Sequence, residues 1–292
     1  MKVVFHFDGT EALRAKLGDV ILCPESDAAA FERLLPEMEV LWHVLKPVTA
    51  EVIDRAPKLR LIQKIGSGVN TIDVEAAKRR GIAVCNLPGT NSRAVAEMTL
   101  LLMLACLRRL TQIQGFAPDA WKLQDHFGEI GGRTVGLLGY GQVPKVLHPI
   151  LEALGAKVLY WSRSQKNAER HELMSRADIV SLHLPLTPET QHSIDPRHMK
   201  RGSILINTAR GALVNEDLLY ETLKNGHLAA AGLDVFSTEP PPRDHPLLSL
   251  SNVCTTPHLG WLTGETLQRS IIAASQNVER LERGLPLLNR VA

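Results

Sequence analysis

The chain has 292 residues, 45% of them hydrophobic and 22% charged, with a formal net charge of +2. This is enough for one large domain or two ordinary ones with a proper core. The near balance of charge excludes the basic field that nucleic acid or an anionic membrane surface requires, and pairs such as Arg79-Arg80 and Arg108-Arg109 stand alone. The cysteines, Cys23, Cys85, Cys106 and Cys254, are widely spaced and form no CxxC pair, so neither a zinc site nor a disulfide framework is expected. Free thiols in a reducing cytoplasm fit best. The first ten residues alternate and lack the apolar centre of a signal peptide, and the longest apolar run, 100–107, falls far short of the ~18 residues of a spanning helix.

In chain order, short apolar runs alternate with helical patterns, which indicates a parallel α/β fold. Strands are predicted at 3–7, 19–23, 40–43, 61–64 and 83–85. A long apolar helix follows over 94–110, introduced by Gly89-Thr90-Asn91-Ser92 as loop and cap. The stretch 115–132, with Pro118 and Gly131-Gly132, reads as a junction between domains. From Arg133 the rhythm tightens, with strands at 134–138, 157–161, 178–182, 203–207 and 229–234 and a short one near Val253. Between them a helix over 216–225 opens on Asn215 as cap and closes at Gly226. The last helix, 264–284, is expected to return to the first domain.

The turn Gly139-Tyr140-Gly141-Gln142-Val143-Pro144 follows an apolar strand and opens a helix, as a dinucleotide site does. Gly139 fits the tight turn and Gly141 the close approach of backbone to pyrophosphate. Pro144 stands where the third glycine is usual. It lacks an amide hydrogen, but Gln142 and Val143 keep theirs, so the anion site should survive with a small shift of the helix. Pro149, one turn later, is expected to kink that helix. After the second strand, where an NAD site usually carries an acidic residue, the chain has Ser162-Arg163-Ser164 and Lys166. Arg163 and Ser164 suit a 2′-phosphate, which favours NADP over NAD; the plain alternative is a surface arginine.

Three further strand ends carry one titratable group each: Arg210 after 203–207, Glu239 after 229–234, and His258 after the strand near Val253. An arginine can grip a carboxylate in a forked pair of bonds, a histidine can move a proton to or from a carbonyl oxygen, and a glutamate on its other nitrogen can fix the tautomer. Each taken alone is as well explained by structure.

Over residues 59–287 the sequence resembles the D-isomer-specific 2-hydroxyacid dehydrogenases, which include glyoxylate/hydroxypyruvate reductases and phosphoglycerate dehydrogenase. The resemblance rests on INTARGALVNEDLL (206–219), GLDVFSTEP (232–240), TPHLG (256–260), HLPLTPET (183–190) and the run 65–100 that begins IGSGVNTID. It implies two doubly wound parallel-sheet domains, a Rossmann-type cofactor domain (94–263) inserted in a flavodoxin-like substrate domain (1–93 with 264–292). It implies Arg210, Glu239 and His258 as the catalytic arginine, acid and histidine. Ser67, Gly68 and Val69 fall in the loop whose amides hold the substrate carboxylate. Thr99, Gln142, Val143, Thr208, Ala209, Asp234 and Gly260 fall along the cofactor, and no metal is implied. A homodimer through the helix region 94–110 is also implied.

Four departures qualify the resemblance. They are Pro144, a weak match before Leu59, Trp261-Leu262 where many members have small residues, and Ser162-Arg163-Ser164, which resembles the NADP-preferring reductases. Glu239 argues against the formate dehydrogenase branch, which uses glutamine there. The resulting expectation is NADP(H)-preferring reduction of a small 2-oxo acid such as glyoxylate or hydroxypyruvate. The rivals are a dehydrogenase of a phosphorylated hydroxy acid or phosphite, for which Lys64 is the basic residue to inspect, and a nucleotide-sensing protein of the corepressor type.

Overall fold

A computed structural model describes residues 1–113, 121 and 127–292. Most of the junction expected at 115–132 lies outside them. The chain divides into two compact units, Met1–Asn91 with Thr263–Ala292, and Ser92–Leu262.

In the first unit the strands are β1 (Val3–His6), β2 (Ile21–Cys23), β3 (Val40–His43), β4 (Leu61–Lys64) and β5 (Ala83–Cys85), interleaved with helices α1 (Glu11–Arg14), α2 (Ala28–Leu34), α3 (Ala50–Asp54) and α4 (Val74–Arg79). They pair in parallel in the order β2-β1-β3-β4-β5, the flavodoxin-like order, whose direction reverses between β1 and β3. The sequence encodes this simply. Strands covered on both faces start as apolar runs, and Val3–His6, Val40–His43 and Leu61–Lys64 are buried at every residue, their polar ends included. Thr10, Asp27, Thr49 and Asp73 each accept a hydrogen bond from the amide three residues on and start the four helices. The last helix of the chain (Gly264–Glu282) belongs to this unit, where Asn277 Nδ2 donates to Gln63 Oε1 at 2.7 Å.

The second unit opens with α5 (Ser92–Leu107) and continues with β6 (Thr134–Leu138), α6 (Gln142–Ala153), β7 (Lys157–Trp161), α7 (Arg170–Arg176), β8 (Ile179–Leu182), β9 (Ile204–Asn207), α8 (Glu216–Lys224), β10 (Ala230–Leu233) and β11 (Val253–Thr255). The sheet order is β11-β10-β9-β8-β6-β7, all parallel, with the switch point between β6 and β8. Alternate residues feed two cores: Leu138, Leu182, Leu205 and Leu233 enter one, and Val135, Leu137, Ile179 and Ile206 the other. This is the doubly wound, Rossmann-type architecture that the resemblance implies.

Three local expectations change. The strand expected at 19–23 begins only at Ile21, because Val20 closes a turn by donating to Leu17 O. The helix expected over 94–110 begins at Ser92 and ends at Leu107; Arg109 then adopts a left-handed φ of 49° ahead of a short 3-10 turn. Pro149 lies inside α6, which continues to Ala153 as one helix. Asn215 does cap α8, accepting from the amides of Asp217 and Leu218. No helix of the described residues is long and apolar enough to cross a membrane. All four cysteines are free.

Candidate active site

Arg210 follows β9, Glu239 follows β10 and His258 follows β11. Because these strands are neighbours in the sheet, their C-terminal loops emerge side by side. His258 Nδ1 lies 2.6 Å from Glu239 Oε2, and Glu239 Oε1 accepts from the Phe236 amide at 3.0 Å. Burial works against ionisation of Glu239. The hydrogen bond and charge of His258, the Phe236 amide and the charge of Arg210 outweigh it, and its pKa falls below the usual range. A carboxylate held on Nδ1 directs a proton to that nitrogen and leaves Nε2 for a reacting group. Arg210 is half-buried and donates to its neighbour's carbonyl, Ala209 O, at 2.6 Å. Burial lowers its pKa and the charge of Glu239 opposes that shift, so arginine and acid interact electrostatically.

Residues that the sequence reading passed over brace these loops. Asn207, the last residue of β9, accepts from Ala209 N at 3.1 Å and donates to Arg210 O at 2.8 Å, which curls the Arg210 loop on itself. At Gly211 an added Cβ would stand 2.0 Å from Phe236 C and 2.2 Å from Ser237 N, so the Arg210 and Glu239 loops pack backbone to backbone there. Glu216 accepts from the Ser237 amide at 2.7 Å. Only the asparagine at a strand end was legible as a loop brace; the close approach at Gly211 joins segments distant in sequence.

Asp234 organises the histidine loop. Its Oδ1 accepts from Thr256 Oγ1 at 2.5 Å and Leu259 N at 2.8 Å, its Oδ2 accepts from Gly260 N at 2.9 Å, and its carbonyl takes the His258 amide at 2.8 Å. Burial pushes its pKa up against these donors. Within this bracing His258 holds a left-handed φ of 55°, a conformation that a non-glycine residue keeps only where its surroundings impose it. Gly260 is required as well, since a Cβ there would lie 2.7 Å from Asp234 Oδ2.

The glycine turn sits at the switch point of the sheet. Gly139 has φ 97°, and a Cβ on it would stand 2.3 Å from His183 O, the residue after β8, whereas Gly141 faces open space. Helix α6 starts at Gln142 with no side chain capping it, so the amides of Gln142 and Val143 are available to an anion, and Pro144 occupies the third helical position. These residues fit a dinucleotide pyrophosphate. Thr99 is fully buried in α5; its hydroxyl bonds Val95 O at 2.7 Å and Thr208 Oγ1 at 2.9 Å, so it supports Thr208 from behind. Past β7, the Ser162 hydroxyl both donates to Gln165 O and accepts from Gln165 N. That turn presents Arg163 and Ser164 exposed at its tip, while Lys166 is paired with Glu169 at 2.7 Å.

Ser67, Gly68 and Val69 lie in the first unit, in the loop leaving β4. Their amides donate to no described residue. The Gly66 carbonyl accepts from Leu87 N at 2.8 Å and the Ser67 carbonyl from Asn86 Nδ2 at 2.7 Å. Lys64 is buried at 5% exposure and donates to Val44 O. Trp261 is buried too.

Comparison with known proteins bears on the fold and the family. Residues 100–260 match the sequence profile of the D-isomer specific 2-hydroxyacid dehydrogenase, NAD binding domain. The glyoxylate reductase of Korarchaeum cryptofilum is 35% identical over 280 residues, 89% of this chain and 84% of that protein. The D-3-phosphoglycerate dehydrogenase of Methanocaldococcus jannaschii is 39% identical over 253 residues, 81% of this chain but only 48% of that longer protein. Among solved structures, the TT0316 protein of Thermus thermophilus superposes with a TM-score of 0.86 at 33% identity, each chain being covered completely. Fold and profile together define an oxidoreductase that uses a nicotinamide cofactor. The chain belongs to the D-isomer-specific 2-hydroxyacid dehydrogenase family.

Proposed function

We propose that this protein reduces a small, unphosphorylated 2-oxo acid of the glyoxylate or hydroxypyruvate type to the D-2-hydroxy acid, with NADPH preferred over NADH. The observation that carries the reading is the hydrogen bond between His258 Nδ1 and Glu239 in a loop set that also holds Arg210. In the proposed reaction the Arg210 guanidinium grips the substrate carboxylate, and the Ser67, Gly68 and Val69 amides take the carboxylate-holding role that the resemblance implies. A bound nicotinamide supplies hydride to the carbonyl carbon. His258 Nε2 gives a proton to the carbonyl oxygen as negative charge builds there, and Glu239 keeps Nδ1 protonated and the ring in place. One 2-oxo acid, one NADPH and one proton become one 2-hydroxy acid and NADP⁺. Gly139, Gly141, Gln142 and Val143 would hold the pyrophosphate, with Thr208, Ala209, Asp234 and Gly260 along the nicotinamide half. Arg163 and Ser164 support the NADPH preference, because they are exposed at a turn tip that carries no acidic residue. Outward Leu101, Leu104 and Leu110, each at least 40% exposed, support a homodimer through the α5 region.

A phosphorylated hydroxy acid is the second reading, favoured by the 39% identity to a phosphoglycerate dehydrogenase. Lys64, the cation that would mark it, donates to Val44 O and is turned into the fold, which favours an unphosphorylated substrate. The test is oxidation of NADPH and NADH by a panel of phosphorylated and unphosphorylated 2-oxo acids, with Arg210→Ala alongside. Turnover of unphosphorylated acids is expected, falling at least about a hundredfold in kcat/KM in the variant. No turnover of any acid, or an Arg210→Ala rate equal to wild type, overturns the reading.

A further inference from the structure

The first sheet ends in a row of buried polar residues. The last residues of β2, β1, β3 and β4 are Cys23, His6, His43 and Lys64, paired across neighbouring strands in that order. Two of them turn toward the loop that leaves β4. Lys64 Nζ donates to Val44 O and lies 3.5 Å from both Thr71 Oγ1 and His43 Nε2. His43 Nε2 in turn lies 2.8 Å from Thr71 Oγ1. The ammonium of Lys64 beside His43 Nε2 favours an accepting Nε2: Lys64 donates to Thr71, and the Thr71 hydroxyl donates to a neutral His43. Burial first, and the charge of Lys64 second, drive the His43 pKa down to about 2, consistent with that neutral ring.

Thr71 closes the loop that Lys64 opens. Its carbonyl accepts from Val48 N at 2.9 Å, and Asp73 N donates back to Val48 O at 2.9 Å. At the loop's start Ile65 N donates to His43 O at 2.8 Å, and Gly66 takes a φ of 140°, which side-chain-bearing residues rarely adopt. Both ends of the loop therefore meet at His43 and Lys64. A buried lysine is a costly way to fill space, and a methionine would fill it without the loss of hydration.

We propose that Lys64 and His43 are positioning residues that act through Thr71 to hold residues 66–70, and with them the amides of Ser67, Gly68 and Val69, ready for the substrate carboxylate. This deepens the function proposed above and rests on it for the substrate. Steady-state kinetics of Thr71→Val, Thr71→Ser and Lys64→Met, with amide hydrogen exchange over residues 65–72, test it.

Thr71→Val should raise KM for the 2-oxo acid about tenfold while kcat moves less than about twofold and KM for NADPH stays constant. Thr71→Ser should restore it, and Lys64→Met should move the same way as Thr71→Val. Exchange at the bonded amides that close the loop, Ile65 and Ile72, should quicken about tenfold in Thr71→Val, with the rest of the first unit unchanged. An unchanged KM with unchanged exchange overturns the proposal. So does an equal loss in every kinetic parameter, which is the mark of general destabilisation. If Lys64→Met does not fold, the Thr71 pair decides. If wild type reduces no 2-oxo acid, the proposed function falls and the exchange measurement alone decides the clamp.

Discussion

At the scale of single residues, Glu239 and Arg163 make the clearest claims. With its pKa below the usual carboxylate range, Glu239 stays ionised at any ordinary assay pH and keeps accepting from His258 Nδ1. Glu239→Gln retains the shape but replaces the carboxylate that accepts from His258 Nδ1 with a neutral amide, so kcat/KM should fall about a hundredfold with little change in KM for NADPH, measured by initial rates. Arg163 and its neighbour Ser164 are both exposed. Arg163→Asp replaces an anion-binding group by one that repels a 2′-phosphate and suits a free ribose hydroxyl. The NADPH to NADH preference should shift at least about tenfold toward NADH. An unaltered ratio would remove Arg163 from cofactor choice.

Elements and the turns between them decide whether these groups meet. Gly211 is where two loops touch through backbone, and Gly211→Ala cannot be accommodated by rotating a side chain, because the clashing atoms are Phe236 C and Ser237 N. The Arg210 and Glu239 loops must part, and a displacement of about 1 Å is enough for a loss of about a hundredfold in kcat/KM. Circular dichroism should show the fold intact. Gly226, just past the end of α8, is the control: it has φ 72° but open space around it. Gly226→Ala should cost about 1 kcal/mol of stability in urea unfolding and leave kcat alone.

The molecule as a whole carries an acid liability. Burial lowers the pKa of His6 to about 4, with Lys46 adding to it, that of His43 to about 2, with Lys64 adding to it, and that of His183 to about 3. Their unfolded value is 6.5. Below that pH the unfolded chain takes up protons that the folded chain refuses, so stability is complete above it and falls as pH drops toward the folded values. Each histidine contributes a slope of about 1.4 kcal/mol per pH unit. Urea midpoints should therefore drop steeply between pH 6.5 and pH 5. His6 has an unpaired buried Nε2 and stacks on Phe31 at 3.9 Å, so His6→Phe should remove about one proton from that slope without loss at neutral pH. A slope equal to wild type would show that His6 takes no part.

The sequence alone determined the alternation of strands and helices, the glycine turn and the three strand ends that carry arginine, acid and histidine. These are local patterns, because burial on both faces of a parallel sheet writes a continuous apolar run and a helix start writes its own cap. The family was legible for the same reason, as several short motifs stand intact. Only the tertiary structure decided what the polar residues do once brought together. Asp234 is consumed by the His258 loop, Thr99 stands behind Thr208, Gly211 joins two loops, and Lys64 turns inward to His43 and Thr71. Such partners lie from seven to more than a hundred positions apart along the chain. A hydrogen bond or a steric contact between them leaves no periodic trace in sequence, since it depends on which strand ends the sheet order sets side by side.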